Sequence, residues 1–311
     1  MTNQTSTRAT VPPNHIIGGH PPDSGGLHLA VRRGAAAGMR ALQIFSAVPK
    51  FYGDRSSIRP DRADRFCEEL AASGIAPGNV VVHAAYVLNP ATSDAERWER
   101  SVAGLVKELE RSTRLGAGAV CFHPGNSGGG DRDEACARVG QAIVRALEAV
   151  ETETRLLIEN TAGAGNAVGN LASEIGAMLA GVPPGLRSRT GYGLDTCHLF
   201  AAGYDITKSR DGLSAVLDEF EAATGERPAF FHLNDSEGAL GSRRDRHRLI
   251  GAGAIGAEPF RWLLQDARSR GVPLILETPA ADDEPPATDE SADANDAAMI
   301  ELLAEMARGV E

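Results

Sequence analysis

The chain has 311 residues, of which 42% are hydrophobic and 5% aromatic, and a formal net charge of −11. No run approaches the roughly 18 apolar residues that a membrane span needs, and the cysteines lack the Cys-x-x-Cys spacing of a zinc or redox motif. We expect one cytoplasmic domain over residues 1–311, with a polar tail at 1–13 and no membrane partner. The charge does not exclude nucleic acid, because seven acids and no base fall between Asp282 and Asp296.

Apolar runs of strand length alternate with helical stretches along the chain, which indicates βα units and a parallel sheet. The predicted strands are His15 to Gly19, Ala41 to Phe45, Val80 to His83, Ala119 to His123, Arg155 to Glu159, Tyr192 to Asp195, Ala229 to Asn234 and Pro273 to Glu277. Helices are predicted over Asp61 to Ser73, Ala95 to Leu115, Asp131 to Val150, Pro259 to Arg270 and Ala297 to Ala307. Eight strands with crossovers predict the α/β class and a closed (β/α)8 TIM barrel. Residues 280–296 are predicted to form a disordered acidic loop.

Six successive strands end in a side chain that can bind a metal: His83, His123, Glu159, Asp195, His232 and Glu277. In a barrel these ends open on one face, where active sites of this fold lie. Any one of them could be a hydrogen-bonded residue near the core, but six separate burials would each need a partner. A shared cluster of cations neutralises all of them, so the pattern predicts a metal centre.

Two loops extend this pattern. His198 follows Asp195 by three residues, and the loop after strand seven, residues 242–248, alternates Asp245 and His247 with four arginines. Taken separately, these features are equally typical of a cap, a surface histidine and a solvated basic loop. With the six strand ends, His198, Asp245 and His247 predict a further metal site, and the arginines predict an anionic substrate such as phosphate.

The sequence resembles the endonuclease IV family of zinc-dependent apurinic/apyrimidinic endonucleases, which have a xylose isomerase-like barrel. The resemblance runs from about Ile16 to Glu277. The matching segments are His123-Pro124-Gly125, Ile158-Glu159-Asn160-Thr161, Asp195-Thr196-Cys197-His198, His232-Leu233-Asn234-Asp235, Asp245-Arg246-His247 and Leu276-Glu277-Thr278.

The resemblance implies three Zn²⁺ ions per chain, with Mn²⁺ as an option at one or more sites. His83, His123 and Glu159 would hold the first ion. Glu159 would bridge to the second, held also by Asp195, His232 and Glu277, and His198, Asp245 and His247 would hold the third. It further implies hydrolysis by a metal-bridged hydroxide of the phosphodiester 5′ to an abasic site in duplex DNA, leaving a 3′-hydroxyl.

The same resemblance assigns contacts with DNA. Tyr86 matches the family's DNA-contacting tyrosine, and Lys50, Asn234 and Arg246 are the other predicted contacts. After strand two, the chain reads Ala47-Val48-Pro49-Lys50-Phe51-Tyr52-Gly53 where the family usually has an Asn-x-Arg-x-Trp-like segment. A DNA substrate would place the protein at the nucleoid, and a closed barrel without free sheet edges favours a monomer.

Two other functions remain open from the sequence. A sugar isomerase or epimerase of the xylose isomerase-like group needs a single metal, held by Glu159, Asp195, His232 and Glu277, and leaves the other five predicted ligands without a role. The other is a catalytically silent barrel that binds damaged DNA or a partner. In such a protein some of the ligand residues would be replaced, and no predicted ligand is replaced here.

Overall fold

The computed structural model describes residues 12–47, 58–277, 279 and 290–309, and its centre is a closed barrel of eight parallel strands. A two-stranded hairpin, β8 with β9, is inserted between the seventh and the last barrel strand. The strands are β1 (Ile16–Gly19), β2 (Ala41–Phe45), β3 (Val80–His83), β4 (Ala119–Phe122), β5 (Arg155–Glu159), β6 (Thr190–Asp195), β7 (Phe231–His232), β8 (Asp235–Ser236), β9 (His247–Arg248) and β10 (Pro273–Leu276). Pairing of β1 with β10 closes the barrel.

Helices surround this barrel. Among the described residues they are α1 (Leu27–Ala37), α2 (Pro60–Ser73), α3 (Ala95–Arg114), α4 (Arg132–Ala149), α5 (Ala172–Ala180), α6 (Thr196–Ala202), α7 (Arg210–Thr224), α8 (Glu258–Gln265) and α9 (Ala294–Arg308). None of them is long and apolar enough to cross a membrane. Asp131 caps α4 as its sequence position predicts, with its carboxylate accepting a hydrogen bond of 2.9 Å from the Glu134 amide.

The predicted fold class is confirmed, and three of the eight strands have the predicted bounds. The largest difference among the strands is at β7, where only Phe231 and His232 keep the ladder instead of the six residues predicted. A second difference follows β6, where a loop was predicted around His198 and the chain forms α6. Asp195 ends the strand and caps this helix by accepting from the His198 amide at 2.8 Å.

The acidic stretch is also more ordered than predicted, as far as it is described. Helix α9 begins at Ala294, three residues before the predicted start, because the Asp293 side chain accepts hydrogen bonds from the amides of Asn295 and Asp296. Asp296 is buried. The predicted loop therefore ends three residues earlier than expected, because residues 294–296 are helical, while residues 280–289 lie outside the described part of the chain.

Successive residues of each strand point alternately into the barrel and out toward the helices. The inward-facing layer at mid-strand is apolar and fully packed, and contains Ala41, Val81, Cys121, Leu157, Phe230 and Ile275. The outward-facing neighbours, such as Ile44, Val82 and Ile158, pack in the larger core against the helices. Because side chains two residues apart share one face, the residues that follow the apolar layer point into the mouth of the barrel.

Candidate metal centre

A complete ring of polar residues lies directly above the apolar layer. Each barrel strand contributes one side chain, two residues after an inward position: His20, Gln43, His83, His123, Glu159, Asp195, His232 and Glu277. On β1 and β6 the preceding inward position is a glycine, and a Cβ on Gly193 would lie 2.1 Å from the Phe230 ring. Six members of the ring are predicted metal ligands, and the structure brings all six to one mouth.

Glu159 is at the centre of this ring, fully buried. Its Oε2 lies 3.2 Å from Nε2 of both His83 and His123. Its Oε1 lies 2.8 Å from Nδ1 of His232 and 3.3 Å from Nδ1 of His198. The two oxygens therefore face different groups of imidazoles, as a carboxylate that bridges two cations would.

A second group forms on the other side of Glu159. His232 Nδ1 lies 3.5 Å from Glu277 Oε2 and 3.9 Å from Asp195 Oδ2. The ligand atoms of Glu159, Asp195, His232 and Glu277 all lie within 4.8 Å of one another. Three carboxylates and one imidazole at this spacing suit a divalent cation such as zinc.

The third group combines α6 with the hairpin. His198 Nε2 lies 3.2 Å from Asp245 Oδ2, and His247 Nε2 lies 3.0 Å from Asp245 Oδ1. Both Nε2 atoms are buried, and neither contact with Asp245 has the geometry of a hydrogen bond. A buried nitrogen without a hydrogen bond is costly, and a cation between these three side chains would satisfy both nitrogens.

Asp235 explains how the hairpin places its two ligands over the mouth. Its buried carboxylate accepts hydrogen bonds from five backbone amides, those of Ser236, Gly251, Gly253, Ile255 and Gly256, at 2.8–3.2 Å. Four of these amides lie in the loop after β9, so one side chain ties both ends of the hairpin together. In the β8–β9 pairing Ser236 lies opposite His247, which fixes the position of that imidazole.

Hydrogen bonds hold the histidines in orientations that suit a metal. His83 Nδ1 donates to the Ala84 carbonyl at 2.8 Å, and His198 Nδ1 donates to the Asn160 carbonyl at 2.9 Å, which leaves Nε2 of each for a ligand bond. His232 is turned the other way, because its Nε2 donates to Gln43 Oε1 at 2.6 Å and its Nδ1 faces Glu159. The donor set and its hydrogen bonds therefore fit a cluster of divalent cations.

The charges of the centre shift its pKa values in opposite directions. Burial opposes ionisation of Glu159, but the charges of His232 and His123 outweigh it and hold the pKa of Glu159 well below its ordinary value. Burial likewise disfavours the charged form of His247, but Asp245 and Asp195 raise its pKa to about 9. The carboxylates thus hold protons on the imidazoles, and divalent cations would replace those protons.

Gln43 and His20 belong to the ring although the sequence reading did not select them. Gln43 is fully buried, and its Nε2 donates to Glu277 Oε1 at 2.6 Å and to His20 Nδ1 at 3.1 Å. Burial lowers the pKa of His20 to about 4, so this imidazole is neutral at pH 7. The position of Gln43, two residues after the inward Ala41, was the available signal, but glutamine is not one of the usual zinc ligands.

Asn234, which was predicted to contact DNA, is buried within the metal centre. The side chain is 2% exposed. Its amide donates to Asp195 Oδ2 at 2.5 Å and to Glu277 Oε2 at 3.0 Å, and its carbonyl oxygen accepts from the Glu277 amide at 3.0 Å. Asn234 therefore orients two carboxylates of the centre, and a contact between this side chain and DNA stays a prediction.

The other predicted DNA contacts have different positions. Tyr86 is 51% exposed at the mouth, with its ring 4.9 Å from that of His83. Arg246 is exposed, and one of its guanidinium nitrogens donates to the Asp245 carbonyl. Lys50 lies outside the described residues. Of the neighbouring arginines, Arg248 forms an ion pair with Glu237 at 3.0 Å, so it is already neutralised.

The centre opens to solvent through a cavity of about 240 Å³ lined by His83, Tyr86, His123, His198, Asp245, His247 and Glu277. A larger cleft of about 660 Å³ shares Tyr86 and His123 with this cavity. Another of about 420 Å³ shares Tyr86, His247 and Glu277. The metal-capable groups are therefore accessible to an elongated substrate.

Comparison with known proteins agrees with this geometry. Residues 31–298 match the family model described as xylose isomerase-like TIM barrel. A probable endonuclease 4 of Thermoplasma volcanium is 41% identical over 267 residues, which cover 85% of this chain and 89% of that protein. A probable endonuclease 4 of a Geobacter species is 36% identical and covers 94% of this chain and 99% of its own length. The crystal structure of endonuclease IV from Thermus thermophilus superposes with a TM-score of 0.77 at 33% identity and covers 96% of this chain and 100% of that one.

Proposed function

Because the chain belongs to the endonuclease IV family, we propose that this DNA-repair endonuclease hydrolyses the phosphodiester bond 5′ to an abasic site in duplex DNA and leaves a 3′-hydroxyl. The observation that carries the proposal is the convergence of nine side chains into three adjoining groups around Glu159, with the buried Nε2 atoms of His198 and His247 left without hydrogen bonds. The cofactor in the proposal is zinc at three sites, with manganese as an option at one or more of them.

The residues divide the work as follows. His83, His123 and Glu159 would hold one cation, Glu159 with Asp195, His232 and Glu277 a second, and His198, Asp245 and His247 a third. When bound, such cations supply Lewis acidity toward a phosphoryl oxygen and lower the pKa of a bound water. Glu159, whose two oxygens face different groups, is the residue most sensitive to substitution.

The nearby thiols do not supply a nucleophile. Burial raises the pKa of Cys121 to about 12 and that of Cys197 to about 11, so neither is a thiolate at neutral pH. Since a thiol attacks as its thiolate, water is the nucleophile in this proposal. Tyr86 stands at the mouth, where the partial burial of its ring and the charges of Glu277 and Glu159 raise the pKa of its phenol. It therefore stays protonated and can donate a hydrogen bond to a phosphate oxygen.

Selectivity for an abasic site follows from the depth of the centre. Glu159, Asp195 and His232 are completely buried, so a phosphodiester reaches them only if the nucleotide leaves the duplex. Turning a nucleotide out costs least where the base is already missing. A single-metal sugar isomerase would use only the second group, and it leaves the converged third group unexplained.

The test is incision of a labelled duplex with one abasic-site analogue, compared with the same duplex undamaged. Zinc-loaded wild type should cut directly 5′ to the analogue. Glu159→Gln should lose at least about a hundredfold in rate, because even residues that only orient metal ligands cost 10–100-fold. Glu301→Gln, an exposed position on α9, is the matched control and should cut normally.

Three outcomes would contradict the proposal. Near-normal turnover by Glu159→Gln would remove the bridging role. Tight binding of the damaged duplex by the zinc-loaded wild type without any cleavage would favour a catalytically silent binding protein, and the absence of both binding and incision would point to a different phosphate ester.

A further inference from the structure

The 660 Å³ cleft beside the metal centre has an unusual charge for this chain. It is walled by the loops after β3, β4 and β5 and by the first turns of α3, which provide Arg97 and Arg100. None of the described residues that line it is a carboxylate, although the whole chain has 42 acids against 31 lysines and arginines. We call it the arginine cleft.

The opposite side of the mouth has the reverse charge. The 420 Å³ cleft there has four carboxylates, those of Asp23, Glu277, Asp293 and Asp296, and two imidazoles, those of His20 and His247, and its other walls are Tyr86 and apolar residues. This acidic cleft is formed by the loop after β1 and the start of α9. A polyanion that occupies the metal centre is repelled on this side and attracted on the side of the arginine cleft.

The two arginines can be reached by a ligand from solvent. Both are exposed, and their spacing of three residues places them on one face of α3. Arg97 has no ion-pair partner among the described residues. A guanidinium at such a position can bind a phosphate with two parallel hydrogen bonds.

The floor of the arginine cleft is fixed before any ligand binds. The Asn126 amide donates to Asn89 Oδ1 at 2.9 Å, which ties the loop after β4 to the loop after β3. The Ser127 amide donates to the Asn166 carbonyl at 3.0 Å, which ties it to the loop after β5. Gly125 has a φ of 91°, and a Cβ there would lie 2.1 Å from Asn89 Oδ1, so this close approach requires glycine. A preformed site loses less entropy on binding.

We propose that the arginine cleft is a phosphate-binding subsite, in which Arg97 and Arg100 hold the backbone of the cleaved strand as it leaves the metal centre. The proposal rests on the nucleic-acid substrate proposed above and adds the route of the strand. The shared walls Tyr86 and His123 make the cleft continuous with the centre. Arg97 and Arg100 position the substrate and do not touch the reacting atoms.

The first experiment compares Arg97→Ala/Arg100→Ala with wild type on the abasic-site duplex in 50–200 mM potassium chloride. KM should rise roughly tenfold while kcat stays within about twofold, and the slope of log(1/KM) against log[salt] should become less steep by about 2, one for each lost phosphate contact. The matched control is Arg114→Ala/Arg227→Ala, which removes the same charge from exposed positions at the other end of the barrel. Its KM and salt slope should equal those of wild type.

The second experiment locates the strand. The cleaved strand is shortened on either the 5′ or the 3′ side of the lesion. Shortening on the side that the cleft binds should raise the KM of wild type. It should leave the KM of the arginine variant unchanged, because in that variant the removed phosphates had no arginine to contact. A variant that responds to both truncations like wild type, or that keeps the wild-type KM and salt slope, overturns the proposal.

Failure of the proposed function is separate from failure of this inference. If wild type does not cut the duplex, the proposed reaction is wrong, and the subsite is then decided by the Kd for the same duplex, measured by fluorescence anisotropy. If the Kd rises roughly tenfold in the arginine variant but not in its control, the result supports the subsite. Equal Kd values for the variant and wild type overturn it.

Discussion

At the scale of single residues, Gln43 connects the two sides of the centre. Its carbonyl oxygen accepts from His232 and its amide donates to Glu277, so two of the four side chains of the second group depend on one neutral residue. A carboxylate in its place would repel Glu277, and an aliphatic side chain would free His232 to rotate. Hydrogen bonds of this kind set which nitrogen of a histidine faces the metal.

We therefore predict that Gln43→Leu weakens metal binding while the protein still folds. Zinc affinity at the second group should fall by about 10–100-fold, the usual effect of removing a residue that orients a metal ligand. Competition with a chromophoric chelator measures the affinity, and the cobalt-substituted protein should show an altered visible spectrum. Gln141→Leu, on the exposed face of α4, is the control. An unchanged affinity would mean that His232 is held by the other members of the ring.

The raised pKa values of the histidines predict how the stability of the metal-free protein depends on pH. Because the folded-state pKa of His247 is about 9 and the unfolded value is about 6.5, its contribution to stability is fully present below about pH 6.5 and is lost as the pH rises toward 9. The pKa values of His83, His198 and His232 are raised in the same direction. Chelator-treated protein should thus lose stability over this range, measured as the midpoint of urea unfolding.

Asp245→Asn tests this assignment. It removes the carboxylate that contacts His198 and His247, so the loss of stability between pH 6.5 and 9 should become smaller than in wild type. Asp211→Asn, at an exposed position of α7, should leave the pH dependence unchanged. Identical pH profiles for wild type and Asp245→Asn would show that the protons reside elsewhere.

At the scale of elements, the hairpin of β8 and β9 is a long excursion held by one carboxylate. Asp235→Ala would leave four amides between Gly251 and Gly256 without this acceptor, of which that of Ile255 is buried and the other three are partly buried. We predict a loss of about 3 kcal/mol in the free energy of unfolding and a drop in bound zinc from three ions to two, since Asp245 and His247 lose their fixed positions. Urea titration and elemental analysis provide the two readouts.

The control for this variant is Asp64→Ala, which removes a carboxylate from an exposed ion pair with Arg114. Such pairs contribute about 0–1 kcal/mol, so stability and zinc content should both stay near wild type. A stable Asp235→Ala protein with three zinc ions would show that the loop after β9 does not need this carboxylate.

At the scale of the whole molecule, the cations link distant parts of the chain. The three groups join side chains from six barrel strands, α6 and the hairpin, so ions bound there act on the folded state alone. An ion at 100 times its Kd stabilises by about 2.7 kcal/mol. We predict that removal of all metal lowers the unfolding temperature by at least about 10 °C.

Calorimetry with and without a chelator measures this effect, and zinc should restore the unfolding temperature. Magnesium is the control, because the histidine-rich groups do not offer the all-oxygen environment that this ion prefers. Full restoration by magnesium would contradict the assignment of the histidines as ligands.

Local patterns in the sequence predict the barrel and bring the predicted ligands to its mouth. The alternation of apolar strands and helices predicts the eight βα units, and the step from an apolar run to His, Asp or Glu marks the strand ends, because both signals are local. The nine predicted ligands all lie at this mouth, and their role as metal ligands stays a prediction. The family resemblance supplied their grouping, which no local pattern contains.

Which polar residues face each other depends on the tertiary structure. Gln43 contacts Glu277 across 234 positions of sequence, and Asn234 donates to two carboxylates of the centre. Asp235 accepts hydrogen bonds from amides 16 to 21 residues further along the chain. The positions of Arg97 and Arg100 beside the metal centre become visible only in the fold, where three loops form one cleft with them. These contacts form because strands that are far apart in the chain become neighbours in a closed barrel. Spacing along the sequence therefore does not predict them.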